Sequence, residues 1–186
     1  PPTVEPSPAP VVVSHSASAA TARAPAIVAG AGAADVELAR WRLIALPPLF
    51  EELFHTHLRA RCSQCGTASS QMAICLVCGE VVCVGSRHCR TRVGGGCSTH
   101  AAKCGAHLGL FLLLHTSDVL VRSGPRVSFW GSPYLDQYGE QDIGLERGRP
   151  LHLNVSRYQE LSELWLNQAL DHDPTVLENF TIDDSY

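Results

Sequence analysis

The chain has 186 residues, a net charge of −4 and 45% hydrophobic content. That length suits one domain of ordinary size with tails, and the mild acidity removes any general pull toward nucleic acid or an anionic membrane. The apolar run around Phe111 to Leu114 is far short of the roughly 20 residues a membrane-spanning helix needs.

Residues 1–33 are mostly Pro, Ala, Val, Ser and Gly with few charges and no periodic apolar face, which reads as a low-complexity disordered linker. A start at Pro1 points to a piece of a longer chain, from which targeting signals can be missing. Residues 34–61 read as a helical segment. Asp35 would cap a first helix carrying Val36, Leu38, Trp41, Leu43 and Ile44 on a broad face, and Pro47 and Pro48 would break it. A second helix would start at Pro48, with Leu49, Phe50, Leu53, Phe54 and Leu58 along one side, and lead into Cys62. His55 and His57 fall on its polar face and are not expected to be ligands.

Residues 62–108 hold all eight cysteines and read as a zinc-binding cluster. Cys62 and Cys65 form one Cys-x2-Cys pair and Cys75 and Cys78 a second; Cys83 and Cys89 stand singly; Cys97, His100 and Cys104 close the run. Two thiolates three residues apart on a tight knuckle can occupy adjacent corners of a tetrahedron about 2.3 Å from zinc. Gly66 and Gly79 follow the two pairs and suit the turn. His100 and Cys104 would share one face of a short helix beginning near Ser98 and stopping at Gly105. Nine candidates exceed by one what two tetrahedral zinc ions require, so one is expected to be a bystander. A disulfide framework is the bland alternative, and single positions such as Cys83, Cys89 or Cys97 could instead be buried free thiols. Arg59, Arg61, Arg87, Arg90, Arg92 and Lys103, against the single acid Glu80, would balance anionic thiolate sites; the alternative is a solvated basic face or a nucleic-acid patch. The single cysteines argue against a cross-braced RING, whose later ligands come as tight doublets.

No Gly-x-Ser-x-Gly elbow, phosphate-cradling glycine loop or His-Glu-x-x-His helix occurs. Two full sets of thiolate-rich ligands leave no open coordination position, so the expected metal is structural and the chain by itself is not expected to be catalytic.

Met72 to Leu76 and Glu80 to Val84 read as short strands flanking the second knuckle. Residues 109–170 read as a small β-sheet plus a C-terminal helix: strands at Gly109 to His115, Val119 to Arg122 and Val127 to Trp130, with a turn at Gly124-Pro125. The loop from Ser132 to Pro150 carries Asp136, Glu140, Asp142 and Glu146 beside Arg147 and Arg149, either as a docking surface or as charges that satisfy one another. A short strand at Leu151 to Leu153 precedes Asn154, which can cap a helix from Val155 to about Ala169. Residues 171–186 are acidic and lack Lys and Arg, so a mobile tail is expected. The fold class is α+β, a small zinc-stabilised domain with short antiparallel strands and flanking amphipathic helices.

The run Ile74-Cys75-Leu76-Val77-Cys78-Gly79, then Cys97-Ser98-Thr99-His100 and Cys104-Gly105, Pro133-Tyr134-Leu135-Asp136, Tyr138-Gly139-Glu140, Asp142, Leu145, Arg147-Gly148, Pro150-Leu151, Leu153 and Arg157-Tyr158 resembles the C-terminal domain of the UBR family of RING-type ubiquitin ligases. These are the N-recognins, which select proteins by their N-terminal residues, and the resemblance covers about residues 45–172. It implies a zinc-binding module, called autoinhibitory in the family, that packs on upstream substrate-recognition and RING regions. By the same resemblance the zinc pairs fall on Cys62, Cys65, Cys75, Cys78, His100 and Cys104, and Cys83, Cys89 and Cys97 also align. Where the family often has a Cys-Cys doublet this chain has His88-Cys89, which makes His88 a possible substitute ligand; Ala106, His107 and Leu108 replace the small residues usual after Cys-Gly.

The resulting expectation is a regulatory or scaffolding module of an N-degron ligase with two structural zinc ions. Its partners would be the upstream domains and, indirectly, a ubiquitin-conjugating enzyme and N-degron substrates, in the cytoplasm with the nucleus as a second setting. A zinc-ribbon nucleic-acid module is the alternative, favoured by the cluster's arginines and opposed by the net charge and the lack of stacking aromatics within the cluster.

Overall fold

The computed structural model describes residues 42–84, 87–90 and 94–178, and the backbone of 181–182. Its elements run α1 (Phe50–His57), β1 (Met72–Cys75), β2 (Val81–Cys83), a 3₁₀ turn (Arg87–Cys89), α2 (Gly96–Cys104), β3 (Leu108–Leu113), β4 (Val119–Ser123) and β5 (Arg126–Gly131). They continue as β6 (Tyr134–Leu135), β7 (His152–Leu153), α3 (Val155–Leu166), a 3₁₀ turn (Leu170–His172), α4 (Pro174–Glu178) and β8 (Thr181–Ile182). The architecture is α+β, as the sequence indicates.

β3 and β4 are near-continuous apolar runs, the pattern of strands covered on both faces, and they sit at the centre of a six-stranded antiparallel sheet ordered β2-β1-β3-β4-β5-β8. Pairing from Leu108 opposite Ser123 to Leu112 opposite Val119 fixes their register, and Ala73 opposite Leu113 seats β1 beside them. Leu110, Phe111, Leu112, Val119, Leu120 and Val121 are completely buried, each side chain of this kind contributing about 1.5–3 kcal/mol. The sheet runs through both the cysteine-rich segment and the segment after it, so no seam falls at residues 108–109.

Residues 35–41 of the expected first helix lie outside the described residues, and its remainder forms no helix. Leu46 and Pro47 each precede a proline, which disfavours the helical region, and other elements claim the backbone here. Ile44 N donates to Leu76 O at 2.7 Å, Tyr158 Oη to Ile44 O at 2.6 Å and Tyr134 Oη to Pro47 O at 3.0 Å. The second helix forms as α1, burying Phe50 and Leu53 while leaving Leu58 exposed. α3 begins where expected, with Asn154 Oδ1 accepting from Arg157 N at 3.0 Å, but ends at Leu166.

The acidic segment is not a loose tail over its described part. Val176 on α4 is completely buried, Ser128 Oγ on β5 donates to Val176 O at 2.8 Å, and Thr181–Ile182 pair with Val127 and Arg126. Asp173 starts α4 by accepting from Val176 N at 3.1 Å, and Pro174 follows as its first residue. Asp-Pro ahead of a buried valine is a helix-start signal, which the count of acids obscured. β8 thereby covers β5, which would otherwise be an edge strand. Val176→Ala should lower stability by about 2 kcal/mol, read as a shift in the urea midpoint; a loose segment would give no shift.

Candidate metal centres

The structure gathers eight of the nine candidate ligands into two groups of four. Cys62, Cys65, Cys83 and Cys89 form the first, Cys75, Cys78, His100 and Cys104 the second, and within each group the donor atoms all lie within 4.8 Å of one another. Corners of a tetrahedron with 2.3 Å metal–sulfur bonds are about 3.8 Å apart, so these spacings suit one ion per group. None of the eight cysteines is disulfide-bonded.

The first group is built by a knuckle, the end of β2 and the 3₁₀ turn. Gly66 N donates to Cys62 O at 2.8 Å, and Gly66 adopts φ +69°, a conformation that favours glycine. Two backbone amides point at the Cys62 sulfur, Gln64 N at 3.4 Å and Cys83 N at 3.3 Å, and Cys62 Sγ lies 3.5 Å from Cys89 Sγ. The second knuckle repeats the design: Gly79 N donates to Cys75 O at 2.8 Å, with φ +80° at Gly79. α2 then presents His100 and Cys104 on one face, with His100 Nε2 3.2 Å from Cys78 Sγ.

The two groups are interleaved. In chain order the ligand pairs are 62/65, 75/78, 83/89 and 100/104, the first and third serving one group and the second and fourth the other. This corrects the reading of Cys83 and Cys89 as isolated positions: they pair across a five-residue gap that the turn Arg87–Cys89 closes. The order is therefore that of a cross-brace, although one arm of it is a sheet hairpin, β1–β2, that carries Cys75 to one centre and Cys83 to the other.

Cys97 belongs to neither group; it is completely buried in the first turn of α2. His88 is also outside both, and Cys89 occupies the corner. Gly96 matters for close approach, because a Cβ there would stand 2.4 Å from Cys83 O and 3.2 Å from Cys83 Sγ.

Glu80 is the residue that sequence reasoning passed over. Its carboxylate lies 3.4 Å from His100 Nδ1 and accepts from Ser63 Oγ at 2.9 Å. A carboxylate on the far nitrogen fixes the imidazole so that Nε2 faces the ligand group, and Ser63 belongs to the other knuckle. Lys103 Nζ on α2 reaches the same knuckle through Gln64 Oε1 at 3.1 Å. An acid two residues after Cys78 in a stretch otherwise basic was the available signal.

The titration behaviour fits cation-binding sites. Burial pushes the Cys75 and Cys89 thiols up, and burial with the neighbouring Cys78 charge pushes Cys104 up to about 11. Cys65 is pulled down to about 6, chiefly by its hydrogen bond with the Thr67 side chain. Burial lowers His100, against a smaller opposing effect of Glu80. A crowd of thiols in low dielectric cannot all ionise unaided, and a divalent cation relieves that repulsion.

Away from these groups, the charges of the 132–150 loop are largely matched within it. Asp136 accepts from Tyr138 N, Glu140 N and Arg149 Nη1, Asp142 from Glu146 N and Arg147 N, and Arg147 pairs with Glu140. The backbone bonds from Glu140 and Tyr138, with Arg149, hold the Asp136 carboxyl below its usual range.

The chain matches the model of the Proteolysis_6 C-terminal family over residues 16–167. It is 39% identical over 138 residues to the E3 ubiquitin-protein ligase ubr3 of Danio rerio, covering 74% of this chain and 7% of that protein. Against the E3 ubiquitin-protein ligase PRT6 of Arabidopsis thaliana it is 38% identical over 143 residues, or 76% of this chain and 7% of the relative. Against the E3 ubiquitin-protein ligase UBR2 of Homo sapiens the figures are 37% over 138 residues, 71% and 8%. The chain thus spans less than a tenth of the length of these relatives.

Metal analysis of variants separates the cysteines. Cys89→Ser should lose one metal ion per chain, whereas Cys97→Ser should keep the full complement. Glu80→Gln should weaken the second centre by about 10- to 100-fold, measured by competition with a chromogenic chelator, and unchanged affinity would remove its supporting role.

Proposed function

Because the chain belongs to the Proteolysis_6 C-terminal family, we propose that it is the C-terminal zinc-binding module of an E3 ubiquitin-protein ligase, regulatory and scaffolding in role, in the pathway that degrades proteins with destabilising N-termini. The observation that carries this reading is the pair of interleaved four-donor groups. The first group would hold zinc with four thiolates and the second with three thiolates and an imidazole, and Zn²⁺ suits both sets in tetrahedral geometry. With every corner filled by protein, neither centre keeps a place for water or substrate, so the metal would act by holding the knuckles, β2 and α2 together. The module's contribution to ubiquitin transfer would come through packing on upstream domains, which in turn meet the conjugating enzyme and the N-degron substrate. A cytoplasmic setting is proposed with it, since a reducing compartment keeps thiolates available to metal.

The magnitudes favour strict metal dependence. A structural zinc site contributes on the order of 10–16 kcal/mol of apparent binding free energy, while a domain's net stability is only about 5–15 kcal/mol. The purified chain should therefore contain two zinc ions and lose its cooperative unfolding transition when chelated; a metal-free chain that still melts cooperatively contradicts the zinc reading. In a reconstituted assay the chain alone should not support autoubiquitination with a panel of conjugating enzymes. Deleting residues 45–172 from the full-length ligase should change its activity, and an unaltered rate would end the regulatory assignment.

A further inference from the structure

The turn joining β3 to β4 closes one end of the sheet, and Asp118 sits inside it with only 7% of its surface exposed. Asp118 Oδ1 accepts from Val119 N at 2.8 Å, and the carboxylate takes a second backbone bond from Gly131. It makes no ion pair among the described residues. A carboxylate has about four acceptor sites, so two backbone bonds leave capacity, and a buried charge without a counter-ion is costly. Burial accordingly pushes the Asp118 carboxyl up.

Among the described residues, Asp118 is the one charged group lining a pocket of ≈ 380 Å³. Beside it, His115 Nδ1 and Thr116 Oγ1 are sealed from water with no hydrogen-bond partner among the described residues. Leaving such atoms unmet costs about 1–3 kcal/mol each, and both residues belong to the pocket lining. Leu113 forms an apolar wall, and Phe129 and Ile143, 38% and 57% exposed, stand at the mouth. A carboxylate with acceptor capacity to spare, in a pocket with apolar sides, calls for a donor-rich cationic head on an aliphatic stem. A guanidinium, planar and more weakly hydrated than an ammonium, suits a carboxylate this buried better than a compact lysine head.

We propose that this pocket binds the arginine side chain of a peptide, with the guanidinium on Asp118 beside His115 and Thr116, and the methylene stem between Leu113, Phe129 and Ile143. This site is separate from the metal centres and does not rest on the ligase reading.

The test is titration of Nα-acetyl-L-arginine amide into the 186-residue chain as purified, followed by amide chemical shifts. Saturable binding with shifts at residues 113–118 is expected, and the uncharged Nα-acetyl-norleucine amide should bind at least about tenfold more weakly. Asp118→Asn keeps an acceptor for Val119 N and should weaken arginine binding by about tenfold or more. Ile143→Lys alters an exposed loop position, puts a competing ammonium at the mouth and should weaken binding similarly; it decides the matter if Asp118→Asn no longer unfolds cooperatively. No saturable binding, equal binding of the norleucine probe, or affinity unchanged in both variants overturns the proposal. A tenfold preference for free L-arginine over the blocked amide would overturn the assignment to a peptide.

Discussion

The rest of the structure depends on the sharing of one hairpin between two ligand groups. β1 ends at Cys75 and β2 at Cys83, opposite ends of the hairpin, since Cys83 pairs with Met72, and the two cysteines serve different centres. Neither centre can be completed by a local stretch of chain: the first needs residues 62 and 89 together, the second residues 75 and 104. Loop-closure entropy is therefore spent on both before either is whole, and the hydrogen bonds from Ser63 to Glu80 and from Lys103 to Gln64 join what the donors alone would leave separate. The sheet follows from this arrangement, since β3 pairs along β1 and α2 packs back on β3 while delivering His100.

Much of this was legible in the residues because the signals were local. The Cys-x2-Cys-Gly knuckles, the spacing of His100 and Cys104, the apolar runs of β3 to β5 and the Asn154 cap each depend on a few neighbouring side chains. What was not legible depended on distance. The partition of ligands into two groups requires knowing that Arg87–Cys89 turns Cys89 back toward Cys62, and no periodicity reports that. The same holds for residues 42–46, where apolar spacing suggested a helix but the backbone of Ile44 is claimed by Leu76 and Tyr158 from far along the chain. At the acidic end, composition was given more weight than the Asp173-Pro174 start and the buried Val176.

Glu80 shows how a residue can be read correctly as to charge and still be misplaced in role. In a basic neighbourhood it counted as the lone opposing acid, yet its position between Ser63 and His100 makes it the link between two centres. The loop from Ser132 to Pro150 shows the opposite case. Its many charges invite an intermolecular reading, while Asp136 and Asp142 spend their oxygens on loop amides and Asp136 also on Arg149.

The irregular segment at Ile44 to Pro48 has a mechanical meaning. Its backbone is gripped by Leu76 in the turn just after β1, by the Tyr158 hydroxyl from α3 and by the Tyr134 hydroxyl from β6, partners separated in sequence by up to 114 residues. A pull applied from the N-terminal side would meet the two bonds at Ile44 and then the one at Pro47. Tension entering there would be spread onto the sheet, β6 and the C-terminal helix before reaching the first cysteine. Anchorage at Ile44 and Pro47 would thus take up load ahead of the Cys62 knuckle.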